Sequence, residues 1–258
     1  MKRCLSEFAV AMNGTLVGQD LVFDGISIDS RTAAAGDLFF AIRGDKFDGH
    51  QYLADAKARG AVAAVVTSRQ DVEIPQICVS DTIVGLQQAA AAWRRSFDIP
   101  VVAVAGSNGK TTTKEMIASV LAQRSACLST QATLNNHLGV PLTLLRMAPT
   151  HWAAAIEVGA NHPGEVADLA KIVWPTVGVV TNAGAEHLEG FGTLEGAAKA
   201  EGELFAALEQ GAVAIMNADD EYLDLWRGMN HAGRTVTFGL GDASDVRPEG
   251  AKIGRAHV

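Results

Sequence analysis

The stretch that most restricts what this chain can become is Val101–Met116, VVAVAGSNGKTTTKEM. The unbroken apolar run Val101–Ala105 predicts a strand covered on both faces, as in a parallel sheet. Gly106 and Gly109 permit a tight turn with no Cβ in the way, and a helical pattern follows from Lys110 to about Ala122. A strand, a glycine turn, Lys-Thr and a helix together make a phosphate cradle. Helix-terminal N–H groups attract the anion, the lysine reaches the outer phosphates and the threonine hydroxyl takes Mg²⁺. Gly106, Ser107, Asn108, Gly109, Lys110, Thr111 and Thr112 are therefore the candidate nucleotide-binding residues. The glycine spacing is shorter than in the usual phosphate loop, since Val104 stands where the first glycine belongs.

What surrounds this stretch is an α/β pattern. Predicted strands at 126–129, 153–157, 176–181 and 212–216 alternate with helices at 141–146, 164–173 and 193–208, implying a doubly wound, mainly parallel sheet. Residues 1–80 read as a smaller α/β unit, with helices at 5–12 and 51–59 and strands at 22–28, 38–42 and 62–66. A connecting helix over 81–97 begins at Asp81, a plausible N-cap, and Ile99-Pro100 ends it. Two domains are expected, 1–80 and 81–258.

Three predicted strands end on chemistry. Val101–Ala105 leads into the glycine turn, Ala153–Ile156 into Glu157, and Val177–Val180 into Thr181-Asn182 and then Glu186-His187. In open α/β sheets the ligand crevice lies beyond the carboxyl ends of the strands, so these groups should converge there. Glu157 suits Mg²⁺, which usually takes one or two carboxylates beside phosphate oxygens. His187 alone reads as a surface histidine; after a third strand end it reads as a ligand. Asn135 and Asn136 bring amides to a loop beside the crevice, although asparagine is also an ordinary turn former. The turns Asp29-Ser30-Arg31 and Asp48-Gly49-His50 serve equally as binding loops or as capped, solvated turns.

Bulk composition narrows the function classes. A net charge of −8 argues against a broad nucleic-acid surface, which would be strongly basic. Cys4, Cys78 and Cys127 are odd in number and lack metal-type spacing, as expected of reduced thiols in a cytoplasmic protein. Lys2 and Arg3 look like the start of a signal peptide, but Glu7 and Asn13 interrupt the apolar core it would need. No run approaches the length of a membrane span.

GSNGKTTTKEM at 106–116, NNHLGVPLTLL at 135–145, EVGANHPGEV at 157–166 and TNAGAEHLEGFG at 181–192 occur in an order that resembles the Mur ligases of peptidoglycan synthesis. Asp29-Ser-Arg31, GDLFFAI at 36–42 and Asp48-Gly-His50 are similar to the family's UDP-sugar-binding domain. The resemblance implies an ATP- and Mg²⁺-dependent amide ligase acting through an acyl phosphate, with UDP-MurNAc-tripeptide and D-Ala-D-Ala as substrates, working as a monomer. It assigns Lys110 to the β/γ-phosphates, Thr111 and Glu157 to the first Mg²⁺, and His187 to a second. It places Asn135 and Asn136 near the γ-phosphate and the acyl group, and Ser30, Arg31, Asp48 and His50 on the UDP-sugar. Members of the family commonly position the second metal with a carbamylated lysine. Here the candidates are Lys199 and Glu201, on different helix faces, and Glu201 is expected to supply the carboxylate directly.

The family also has a C-terminal Rossmann-like domain, which this chain is expected to lack. The terminal IGRAHV at 253–258 can be encoded by a sequencing adapter, so a truncated gene with native sequence ending near Lys252 is expected, with little or no ligase activity. The alternatives are another Mur or folylpolyglutamate-type ligase, and a non-catalytic nucleotide- or UDP-sugar-binding module.

Overall fold

The computed structural model describes residues 3–44, 47–185, 188–242 and 244–249. His187 and the segment 253–258, both singled out above, lie outside the described residues.

The first part of the chain runs β1 (Arg3–Cys4), α1 (Leu5–Ala11), β2 (Thr15–Val17), β3 (Val22–Phe23), β4 (Gly25–Ser27), β5 (Asp37–Phe40), α2 (Leu53–Ala58), β6 (Ala63–Val66) and β7 (Gln76–Cys78). A sheet in the order β2-β7-β6-β5-β4 is parallel except for the β2–β7 pair. The strand predicted over 22–28 is broken at Asp24. The half before the break, β3, pairs antiparallel with β1, and the half after it, β4, joins β5. Asp24 and Gly25 are turn residues, and their signal is masked by the apolar residues on either side.

Then come α3 (Thr82–Arg95), β8 (Val101–Ala105), α4 (Lys110–Ala122), β9 (Cys127–Ser129), α5 (Gly139–Leu144), β10 (Ala153–Glu157), α6 (Glu165–Val173), β11 (Val177–Val180), α7 (Leu188–Phe191), α8 (Leu194–Ala206), β12 (Val213–Asn217), α9 (Leu223–Met229) and β13 (Arg234–Phe238). The sheet order is β13-β12-β11-β8-β10-β9, and every pairing is parallel. The fold is therefore the mixed α/β arrangement with parallel sheets that the alternating pattern predicts. Central β8 sits between β11 and β10, in register with both, so three strand ends open side by side.

Helix α3 bridges the two sheets. Asp81 caps it, its Oδ1 accepting from the N–H groups of Ile83 at 2.7 Å and Val84 at 3.0 Å. One apolar cluster runs from Leu38, Phe40 and Val65 through Leu86 and Ala89 of α3 to Val101, Ala103 and Ile156. At the other end of α3, Arg94 is 1% exposed. Its guanidinium donates to the carbonyls of Val173, Phe97 and Trp174 at 3.0, 2.7 and 3.1 Å. Three carbonyls near the ends of α3 and α6 thus depend on one side chain. Arg94→Met would leave them buried without donors, and chemical denaturation should show a loss of about 2–4 kcal/mol. An unchanged midpoint would contradict this role.

Candidate active site

The turn after β8 is shaped by two glycines with different demands. Gly106 has φ +122°, and a Cβ there would stand 2.2 Å from Thr181 Oγ1 and 2.9 Å from Thr181 N. Gly109 has φ +79°, yet a Cβ there would meet nothing within 4 Å. Position 106 thus needs glycine for conformation and for space, position 109 for conformation alone.

The residues after β11 close on the turn. Asn182 O accepts from Ser107 N at 2.9 Å, Asn182 Oδ1 from Asn108 N at 3.1 Å, and Thr181 Oγ1 donates to Asn108 O at 2.7 Å. Ser107 Oγ accepts from Gly184 N at 2.8 Å, and Glu201 Oε2 accepts from Gly106 N at 2.7 Å. The N–H groups of 106–108 are all three turned toward the protein. What remains for an anion is the head of α4 from Gly109 onward, where first-turn N–H groups lack intrahelical acceptors.

Over that opening lies Lys110, whose Nζ donates to Gly106 O at 2.6 Å and Ser107 O at 2.8 Å. Thr111 Oγ1 donates to Glu157 Oε2 at 2.8 Å, and Asn135 Nδ2 donates to Glu157 Oε1 at 2.8 Å. Glu157, at the carboxyl end of β10, is 2% exposed. Its backbone N–H donates to Thr130 Oγ1 at 2.9 Å, and Thr130 O accepts from Lys114 Nζ at 2.7 Å. Thr111, Asn135 and Glu157 are therefore joined by hydrogen bonds, and Lys110, the residue before Thr111, lines one cleft with Asn135. Thr112 is exposed beside them.

The other candidate residues are placed differently. Asn136 turns to the helix beyond: its Oδ1 accepts from Leu138 N and Gly139 N, heading α5. It does line a cleft of about 650 Å³ with Lys110, Asn135, Gly159, Asn161 and His162. Lys199 is exposed and paired with Glu195 at 2.7 Å, whereas Glu201, two residues on, is buried against the glycine turn. Glu203, from the same helix, accepts from Gly164 N at 2.7 Å and Ala167 N at 3.1 Å, capping α6.

Ser30 and Arg31 line a separate cavity of about 430 Å³ with Asp29, Phe47 and Tyr52. Arg31 grips Asp29, with Nη2–Oδ2 at 2.7 Å, and the hydrogen bonds of the Arg31 side chain hold the Asp29 pKa down at about 2. Asp48 and His50 are engaged with the protein. Thr67 N donates to His50 Nε2 at 2.9 Å, so the ring proton is assigned to Nδ1, which faces Asp48 Oδ1 at 2.6 Å. The pair shapes the turn, and Gly49 between them lines the cavity.

Thr130 and Lys114 are the supporting residues that sequence reasoning missed. A signal for Lys114 exists: it lies one turn before buried Ala118, so it occupies the inward face of α4 and is itself wholly buried.

The chain is similar to known proteins along most of its length. The model of the Mur ligase middle domain matches residues 104–255, more than half of the chain, and that of the Mur ligase family catalytic domain matches residues 22–122. The chain belongs to the Mur ligase family. This Mur ligase chain is 43% identical over 225 residues to the UDP-N-acetylmuramoyl-tripeptide–D-alanyl-D-alanine ligase of Escherichia coli, covering 87% of the chain and 50% of that relative. The crystal structure of MurF from Acinetobacter baumannii superposes with TM-score 0.90 at 35% identity, covering 96% of this chain and 55% of that one. MurF from Thermotoga maritima, solved in complex with ADP, superposes with TM-score 0.76 at 30% identity, covering 84% and 50%. The chain spans about half the length of the curated relatives it matches.

Two outcomes follow for this Mur ligase chain. Gly106→Ala should weaken nucleotide binding by at least about tenfold in a calorimetric titration, while Gly109→Ala costs only about 1 kcal/mol of strain. Equal effects would contradict the packing argument. For Asp29, the folded pKa lies below the ordinary value near 4, so its pairing with Arg31 is present above about pH 4. It is lost as pH falls through about 2, and an NMR titration of the carboxyl carbon should have its midpoint there.

Proposed function

We propose that the whole protein is an ATP-dependent ligase that joins D-Ala-D-Ala to UDP-MurNAc-tripeptide in peptidoglycan precursor synthesis, in the cytoplasm. The observation that carries this is the joining of Thr111 and Asn135 to Glu157 beyond adjacent strand ends, with Lys110 lining one cleft with Asn135, in a chain 43% identical to a ligase of that name. No helix among the described residues is long and apolar enough to cross a membrane.

In this reading residues 1–80 hold the UDP-sugar and residues 81–258 hold ATP. Lys110 leaves the carbonyls of Gly106 and Ser107 for the β/γ-phosphates, and the N–H groups at the head of α4 take the same anion. Thr111 and Glu157 fit Mg²⁺ on the chemistry of their donors: a hydroxyl and a buried carboxylate already share one hydrogen bond, and both are hard oxygen ligands. His187 and Glu201 are the residues proposed for a second ion, and Glu201 rather than exposed Lys199 is on the side of the glycine turn. Held by Thr111 and Glu157, Mg²⁺ would supply positive charge against the phosphates of ATP.

The tripeptide carboxylate attacks the γ-phosphorus of ATP, giving an acyl phosphate and ADP. The D-Ala-D-Ala amine then attacks the acyl carbon, loses a proton, and phosphate departs from the tetrahedral intermediate. The protein supplies no nucleophile; its contribution is positioning and charge stabilisation. Asn135 holds Glu157 in orientation from one side while Thr130 fixes its backbone from the other.

Calorimetry on the purified chain should show separate saturable sites for Mg·ATP and for UDP-MurNAc-tripeptide. Glu157→Gln should abolish the Mg²⁺ dependence of ATP binding and leave UDP-MurNAc-tripeptide binding within about twofold. A chain that binds neither ligand, or a variant with unaltered Mg²⁺ dependence, would contradict the assignment.

A further inference from the structure

Lys114 takes no part in the chemistry above, yet it lies wholly buried on the inward face of α4. A buried ammonium is costly unless it is paired and hydrogen-bonded. Two groups meet this one: the carboxylate of Glu115, as an ion pair, and the carbonyl of Thr130, to which Nζ donates at 2.7 Å. The Glu115 side chain is 61% exposed and would pair equally well with a lysine at the surface. The contact that requires burial is the one with Thr130.

Thr130 is a junction. It follows β9 and is 1% exposed. Its N–H donates to Ala155 O at 3.2 Å, its carbonyl accepts from Lys114, and its Oγ1 accepts from Glu157 N at 2.9 Å. Helix α4 is thereby joined, through one residue, to the last residue of β10. Thr111 and Lys114 are three residues apart and so neighbours along α4. The tie through Thr130 lies one turn behind the contact of Thr111 with Glu157.

The bonds to Glu157 differ in what a cation would do to them. Those from Thr111 and Asn135 end on the carboxylate oxygens, the atoms a hard cation takes up. The bond to Thr130 runs from the backbone N–H, a donor that no cation uses. The tie from Lys114 through Thr130 to Glu157 therefore holds α4 and β10 together whether the carboxylate is occupied or not. The residues assigned to the phosphates depend on a different brace, since the turn before α4 is fixed by Thr181, Asn182 and Glu201.

We propose that, on the reading of Thr111 and Glu157 as cation ligands given above, Lys114 is a positioning residue for the divalent ion. By gripping Thr130 it sets the spacing between Thr111 and Glu157, and with it the affinity for Mg²⁺ rather than for the nucleotide.

The test is calorimetry of ATP binding to the purified chain, with and without Mg²⁺. Lys114→Met should cut the Mg²⁺-dependent gain in affinity about tenfold and leave metal-free ATP binding within about twofold. Thr130→Val, which removes the acceptor of the Glu157 N–H, should show the same split, and Thr130→Ser, which keeps it, should retain the wild-type gain within about twofold. In the double variant Lys114→Met/Thr130→Val the losses should not add. Amide hydrogen exchange gives a reading that needs no substitution: the Glu157 N–H should stay protected in the wild-type chain both without ligand and with Mg·ATP. An unchanged Mg²⁺-dependent gain in folded Lys114→Met, an equal fall in its metal-free binding, Thr130→Ser as weak as Thr130→Val, or rapid exchange of that amide would overturn the proposal. Glu157→Gln separates this role from the cation site itself. If Glu157→Gln abolishes the Mg²⁺ dependence while Lys114→Met and Thr130→Val keep it, the cation site stands and the role of Lys114 falls. If Glu157→Gln also leaves the dependence unaltered, both fall.

Discussion

At Gly106 the backbone of this protein turns through positive φ where an added Cβ would stand within 3 Å of a neighbouring strand end, and the candidate site depends on that close approach. Because no side chain intervenes, Thr181 and Asn182 can close over the turn, and the Gly106 N–H can point at the Glu201 carboxylate. The turn is thereby fixed from outside by β11 and α8. Lys110 and Thr111, the first residues of α4, inherit their positions from it. Any larger residue at 106 would have to displace backbone as well as a hydroxyl.

Helix α8 acts as a brace for two helix heads. Glu201 holds the turn before α4, and Glu203 caps α6. Two carboxylates spaced by two residues point to different parts of the crevice, with exposed Lys199 on neither. On the other flank, Lys114, Thr130 and Glu157 form a chain of hydrogen bonds running from the buried side of α4 to the end of β10. Glu157 is consequently held at its backbone and at both carboxylate oxygens, which is the preorganisation a metal-binding carboxylate requires.

Much of this was legible in the sequence, for reasons that differ by element. Val101–Ala105 and Ala153–Glu157 appear at their predicted bounds because strands buried on both faces read as continuous apolar runs. The contact of Thr111 with Glu157 is what strand order implies, since parallel neighbours end at the same edge. The break at Asp24 was not legible, because two-residue strands carry no periodicity to read. Helix α9 and β13 were also not foreseen, having short or polar patterns at the edge of the sheet. The orientation of individual groups was harder still. Nothing in Asp48-Gly49-His50 reveals that Thr67, seventeen residues on, satisfies the imidazole. Nothing in GSNG reveals that Asn182 consumes two of its amides.

The account rests on a metal-bound triphosphate sitting where Lys110, Thr111 and Glu157 meet. The most direct test is a crystal structure of the chain with Mg²⁺ and a non-hydrolysable ATP analogue. The predicted result is a Mg²⁺ ion about 2.1 Å from Thr111 Oγ1, with the Glu157 carboxylate bound directly or through one water. Phosphates bound away from the head of α4, or an ion that ignores both side chains, would contradict it.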